Sequence, residues 1–146
     1  SSDLLAGPYA TKLQALWIAA YNLGIVRDRD DAALIAFVKR QTGIDHPRFL
    51  VDDIDANKAI EALKGWLHRD GGVDWSNNRH DPNYMRKPQY KIATAQVRII
   101  GSRRPIGRFS SVICSIIPKP LPDISDDEWI TVMNRLGAEI RDLKGE

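Results

Sequence analysis

The chain has 146 residues, 43% of them hydrophobic and 27% charged, with one cysteine and a formal net charge of +2. That balance excludes a disordered or fibrous protein and leaves room for one ordinary domain or two small ones with a buried core. The longest nearly apolar run, Val112 to Ile117, is far shorter than a bilayer span, and Ser1-Ser2-Asp3 is no signal sequence, so a cytoplasmic protein is expected.

The absence of an initiating Met suggests a chain trimmed from something longer. The first helix is predicted from Tyr9 to Leu23, with Leu13, Leu16, Trp17, Ala20 and Tyr21 at helical spacing and Gly24 as its stop. A second runs from Asp30 to Thr42. Asp30 and Asp31 supply its cap, Leu34, Phe37 and Val38 its apolar stripe, and Gly43 its end. A connection with His46, Pro47, Arg48 and Phe49 leads to a third helix, Asp52 to Arg69. Ala56, Ala59, Ile60, Leu63 and Leu67 share one of its faces, and Gly71-Gly72 stops it.

Residues 74–88 are rich in Asn, Asp, His, Arg and Pro and read as a linker. Charge is uneven about it: residues 1–73 carry nine Lys/Arg against ten Asp/Glu, and residues 74–146 carry twelve against nine. Between Arg79 and Arg108 lie Arg79, Arg86, Lys87, Lys91, Arg98, Arg103, Arg104 and Arg108, opposed only by Asp81. After the linker the same grammar returns. Ile92, Ala95 and Ile99 mark a fourth helix ending near Gly101, and Phe109, Val112, Ile113 and Ile116 a fifth. Cys114, in that apolar company, reads as a buried small residue and not as a reactive thiol; a lone cysteine also allows no intrachain disulfide, as suits a reducing compartment.

Pro118 to Pro122 form a connector that no α-helix can cross. Ser125-Asp126-Asp127-Glu128 then gives a capping box for a last helix with Trp129, Val132, Met133, Leu136, Ile140 and Leu143 on one stripe. An offset of 73 pairs Asp53 with Asp126, Leu63 with Leu136 and Leu67 with Ile140. The expected fold is therefore all-α, two diverged three-helix units in tandem joined by a polar linker: residues 1–73, linker 74–88, and residues 89–146.

Three phrases carry a family resemblance. They are Lys12-Leu13-Gln14-Ala15-Leu16-Trp17 with Asn22-Leu23-Gly24, the run from Ala36 through Phe37-Val38-Lys39-Arg40-Gln41-Thr42-Gly43 to Asp45, and Lys58 to Leu67 with Ala62-Leu63-Lys64-Gly65-Trp66-Leu67. Together they resemble the GemA family of regulatory proteins of Mu-like phages and prophages, clearly over about residues 9–70. In the second half, Gln96, Trp129, Leu136-Gly137 and Arg141 are similar to some bacterial members, but the Phe37–Gly43 phrase has no counterpart there. The resemblance implies a regulator of host gene expression and DNA relaxation, with gyrase or the transcription machinery as partner. Family members also carry a further amino-terminal segment that this chain does not show. No catalytic residues come with the resemblance.

The residues add little chemistry of their own. The segment Trp75 to Asp81 matches no metal or nuclease pattern, His46, His68 and His80 share no spacing, and no Ser or Cys has a base and an orienting acid beside it. No catalytic, metal or cofactor site is expected. The connections after Gly43 and after Ile117 are too long for a helix-turn-helix. The eight cations from Arg79 to Arg108 could track a phosphate backbone, with Tyr84 or Tyr90 stacking on open bases, or they could be a solvated linker and a polar helix face. Trp17 and Trp129 read as core. Trp66 lies off the Ala56–Ile60–Leu63 stripe, at a seam between units or on an exposed partner surface. The reading is a non-enzymatic regulatory or adaptor protein that acts by binding protein, DNA or both. A nucleic-acid-binding module is the alternative, and an enzyme of unrecognised type comes behind both.

Overall fold

A computed structural model describes residues 9–45 and 52–145. Those residues form seven α-helices: α1 Ala10–Asn22, α2 Asp31–Thr42, α3 Asp53–Gly71, α4 Asn83–Arg86, α5 Pro88–Gly101, α6 Phe109–Ile116 and α7 Asp126–Leu143. One 3-10 turn, Leu121–Asp123, interrupts the proline connector, and no described residue is in a strand. The all-α expectation holds. The connection through His46, Pro47, Arg48 and Phe49 lies outside the described residues.

The apolar periodicities bury the faces they announce. Leu13, Leu16, Trp17 and Ala20 of α1 pack with Leu34, Phe37 and Val38 of α2 and Ala59, Ile60, Leu63 and Leu67 of α3 in one cluster. A second cluster joins Ile113 of α6 to Trp129, Val132, Leu136 and Ile140 of α7. Helix α5 serves both: Ile92 and Ala95 face the first, while Ala93, Val97 and Ile100 face the second. Its successive turns thus bury side chains in two directions, which is why the helix is apolar over more than one stripe.

The ends of the helices vary in how they are made. Ser125 and Glu128 form the full reciprocal capping box of α7, and the Asp52 carboxylate accepts from Ile54 N–H at 2.9 Å. Asp30 occupies the N-cap of α2 without a side-chain bond, contrary to expectation; the Asp28 carboxylate instead accepts from Asp30 N–H at 2.8 Å and fixes the turn before the helix. Gly24, at φ 75°, lets Gly24 N–H reach Tyr21 O and Ile25 N–H reach Ala20 O, a Schellman closure. Gly101 stops nothing in that way. It is the last residue of α5 with ordinary φ, and a Cβ there would lie 3.1 Å from Ile106 Cγ2, so its use is close approach of the following loop.

The segment 74–88 is more ordered than its composition suggests. Four residues form α4, and Pro88 opens α5 at a position where its missing N–H costs nothing. Cys114 is half-buried, not fully so; on the short α6 only Ile113 turns wholly inward, and Cys114 Sγ lies 3.3 Å from Lys119 O.

Candidate functional site: a groove between α2 and α3

Helix α2 turns Leu34 and Val38 inward, and Phe37 lies at the border of that stripe. On α3, Leu63 and Leu67 are buried while Ala62 and Trp66 fall on the flank facing α2. The Trp66 ring stacks on Phe37, with centroids 5.8 Å apart and planes at 12°, and meets Trp17 at 6.2 Å and 59°. Its indole N–H donates to Asp70 Oδ2 at 2.7 Å, one turn further along α3. Packing and this bond together fix the ring while one side stays open.

The open side is a groove of about 450 Å³ lined by Phe37, Arg40, Gln41, Ala62, Trp66 and Arg69. Arg40, exposed, sits over the Phe37 ring with Cζ 6.0 Å from its centroid. Arg69 runs back along α3 beside Gly65, where a Cβ would stand 3.2 Å from its guanidinium. Among the described residues neither arginine has a carboxylate partner. Trp66 is thus placed on a half-open flank of the first cluster, with ring partners only from the first half.

Five of the eight cations of the 79–108 stretch are engaged in bonds within the fold. Lys91 Nζ donates to Trp75 O, Ser76 O and Asn77 Oδ1, and Arg86 donates to the carbonyls of Asn78, Arg79 and Asp81. These two hold the 74–81 segment against α4 and α5. Lys87 pairs with Asp126 at 2.7 Å, Arg98 donates to Gly72 O at 3.0 Å, and Arg104 pairs with Glu139. Arg79, Arg103 and Arg108 are exposed, and among the described residues their side chains have no hydrogen-bond or ion-pair partner. Tyr84 and Tyr90 are both half-buried and in ring contact. Tyr90 meets Tyr84, Phe109 and Trp129 edge to face at 5.2–5.7 Å, and its burial raises the phenol pKa.

A feature the sequence reading did not foresee joins the two ends of the chain. Gln96, fully buried on α5, donates to Asn22 O and Met133 O, both at 2.9 Å. Asn22 Nδ2 donates to Asn134 Oδ1, and Arg141 donates to Asn22 Oδ1 and Tyr21 O while lying 3.9 Å over the Tyr21 ring. Gly137 makes room for this: a Cβ there would lie 2.7 Å from Asn22 Cγ. The signal in the sequence was a Gln between apolar residues at 95 and 97, which periodicity alone treats as noise. This junction satisfies backbone carbonyls and positions helices, and its outer edge, Tyr21 and Arg141, borders a recess of about 460 Å³ with Arg27 and Lys144.

Among the described residues no three His, Cys, Asp or Glu side chains converge on a metal-sized site, and no helix is long and apolar enough to cross a membrane. What the fold and the groove define is an all-helical protein with a half-open aromatic surface rimmed by arginine. Residues 3–69 match the family model described as Bacteriophage Mu, GemA protein, so the first part of the chain is GemA-like as its phrases indicate. All six groove-lining residues fall inside that match, which ends before the second half begins. No curated protein and no solved structure matches the chain.

Proposed function

We propose that this is a phage- or prophage-type regulatory protein, non-enzymatic and cytoplasmic, that acts by binding a host protein through the α2–α3 groove. The observation that carries this reading is convergence. The two phrases most responsible for the GemA resemblance, Phe37 to Gly43 and Ala62 to Leu67, lie on different helices yet supply the stacked rings and most of the lining of one groove. Aromatic and arginine side chains on a pre-formed recess are the groups that most often anchor partners. The host processes implied by the resemblance, gene expression and DNA topology, make gyrase and the transcription machinery the first partners to test.

The test is affinity capture from host lysate with the full chain and with Trp66→Ala. Retention of a specific host protein by the first and its loss with the second is the expected result; identical capture by both removes the groove from the proposal. A second reading, direct nucleic-acid binding, draws support only from the exposed and unengaged Arg79, Arg103 and Arg108. A labelled duplex titrated at two salt concentrations separates it, because phosphate contacts are lost steeply as salt rises.

A further inference from the structure

We infer that the α2–α3 groove takes an acidic peptide segment that inserts one aromatic or aliphatic side chain against Trp66. This rests on the reading of the groove as a partner site and specifies what the partner presents there. The floor, Phe37, Ala62 and Trp66, is apolar, and the two charged groups on its rim, Arg40 and Arg69, have the same sign and no carboxylate partner among the described residues. Asp70, one turn along α3, accepts from the Trp66 indole N–H. Arginine forks match carboxylates in two-bond geometry, and an apolar side chain between them would cover the exposed ring.

Gly65 supports the same occupant. A glycine inside a helix is destabilising relative to alanine. Gly65 is not at positive φ, and among the described residues the atom near its missing Cβ is the mobile end of Arg69. Among the described residues no internal packing explains it, whereas close approach of another backbone to α3 would. A nucleic-acid strand is the poorer fit. Lys39, the next cation on α2, is already paired with Asp45, which leaves two arginines to meet a run of phosphates.

The experiment is selection of a displayed library of random short peptides on the full chain, on the double variant Arg40→Glu/Arg69→Glu, and on Trp66→Ala, with helicity and melting measured for each. Enrichment of peptides bearing Asp or Glu around an aromatic or aliphatic residue is expected, falling at least ~tenfold on both variants while they remain folded. The double variant should instead favour basic peptides, a gain that misfolding cannot imitate. Neutral or basic peptides selected by the wild type, acidic selection that survives both variants, or no selection would overturn the inference. So would a salt-sensitive duplex complex, or a homodimer, that the double variant abolishes. If host-protein capture still depends on Trp66 while acidic selection fails, the partner site stands and its assigned chemistry falls.

Discussion

Each half of the molecule has an aromatic cluster, and the two are finished differently. In the second half Trp129 is fully buried beneath Tyr90 and Phe109, with Tyr84 adding an outer edge. In the first, Trp17 and Phe37 are buried but Trp66 is only half covered, and its free side borders arginine. Similar ring sets therefore do dissimilar work. A sealed cluster contributes stability through area and packing, whereas an open one retains unspent apolar surface for a partner. The difference also limits how far the repeat can carry function: even if the halves are diverged copies, a surface in one need not exist in the other.

The sharpest way to break this comparison is to delete one ring from each cluster. Trp129→Ala should cost roughly 3–5 kcal/mol in a denaturant titration, as for other buried aromatic truncations. Trp66→Ala should cost distinctly less and weaken partner capture instead; equal losses of stability would mean that Trp66 is simply core. Leu63→Ala and Leu136→Ala, both buried and paired by the 73-residue offset, should each cost roughly 2–5 kcal/mol. Because α5 packs into both clusters, each variant should unfold in one transition, and two separated transitions would show that the halves are independent.

Glycines sharpen the contrast at smaller scale. Gly137→Ala should destabilise by roughly 1–3 kcal/mol, since its methyl would press on Asn22 inside the polar junction. Gly65→Ala should be neutral or stabilise by up to ~1 kcal/mol, because Arg69 can swing away. A destabilised Gly65→Ala would point to an internal packing role and weaken the case for close approach of a ligand.

The capping box of α7 gives a pH signature. Hydrogen bonding from Lys119, then from Ser125 N–H, holds the Glu128 carboxyl below its ordinary pKa. A depressed acid of this kind stabilises the fold above its unfolded pKa, and that contribution is lost as pH falls through the folded value. The Tm of Glu128→Gln should therefore fall less than that of the wild type when pH is lowered from 7 to 3; parallel curves would remove Glu128 from the acid response. Ser125→Ala should cost about 1 kcal/mol at neutral pH. The smallest effect expected is from Arg79→Ala/Arg103→Ala/Arg108→Ala, within about 0.5 kcal/mol per site because all three are exposed and unengaged. If these residues do contact phosphate, duplex affinity and its salt slope will both drop; unchanged values end the nucleic-acid reading for them.

How legible this molecule is from its residues depends on period and distance. Stripes such as Leu13–Leu16–Ala20 and Trp129–Val132–Leu136 repeat over several turns, so helix positions and core residues could be read directly. Helix α4 is a single turn, too short to show a period. The cations were legible as charges but not as bonds: Lys91 and Arg86 find backbone carbonyls that only the folded linker brings together, and Glu139 reaches Arg104 from 35 residues away. The groove was half visible. Trp66 stood out for lying off its stripe, but Phe37 and Arg40 join it only through the packing of α2 on α3, which no local pattern encodes.

The polar junction has a consequence for the order in which the chain can be made. Arg141 donates to Tyr21 O and Lys144 to Gly24 O, closing contacts across 120 residues. When α1 emerges from a ribosome, the groups that finish its carboxyl end have not yet been synthesised. Helix α1 thus waits on the last turn of α7, and loss of Arg141 or Lys144 would be felt 120 residues earlier, at Tyr21 and Gly24.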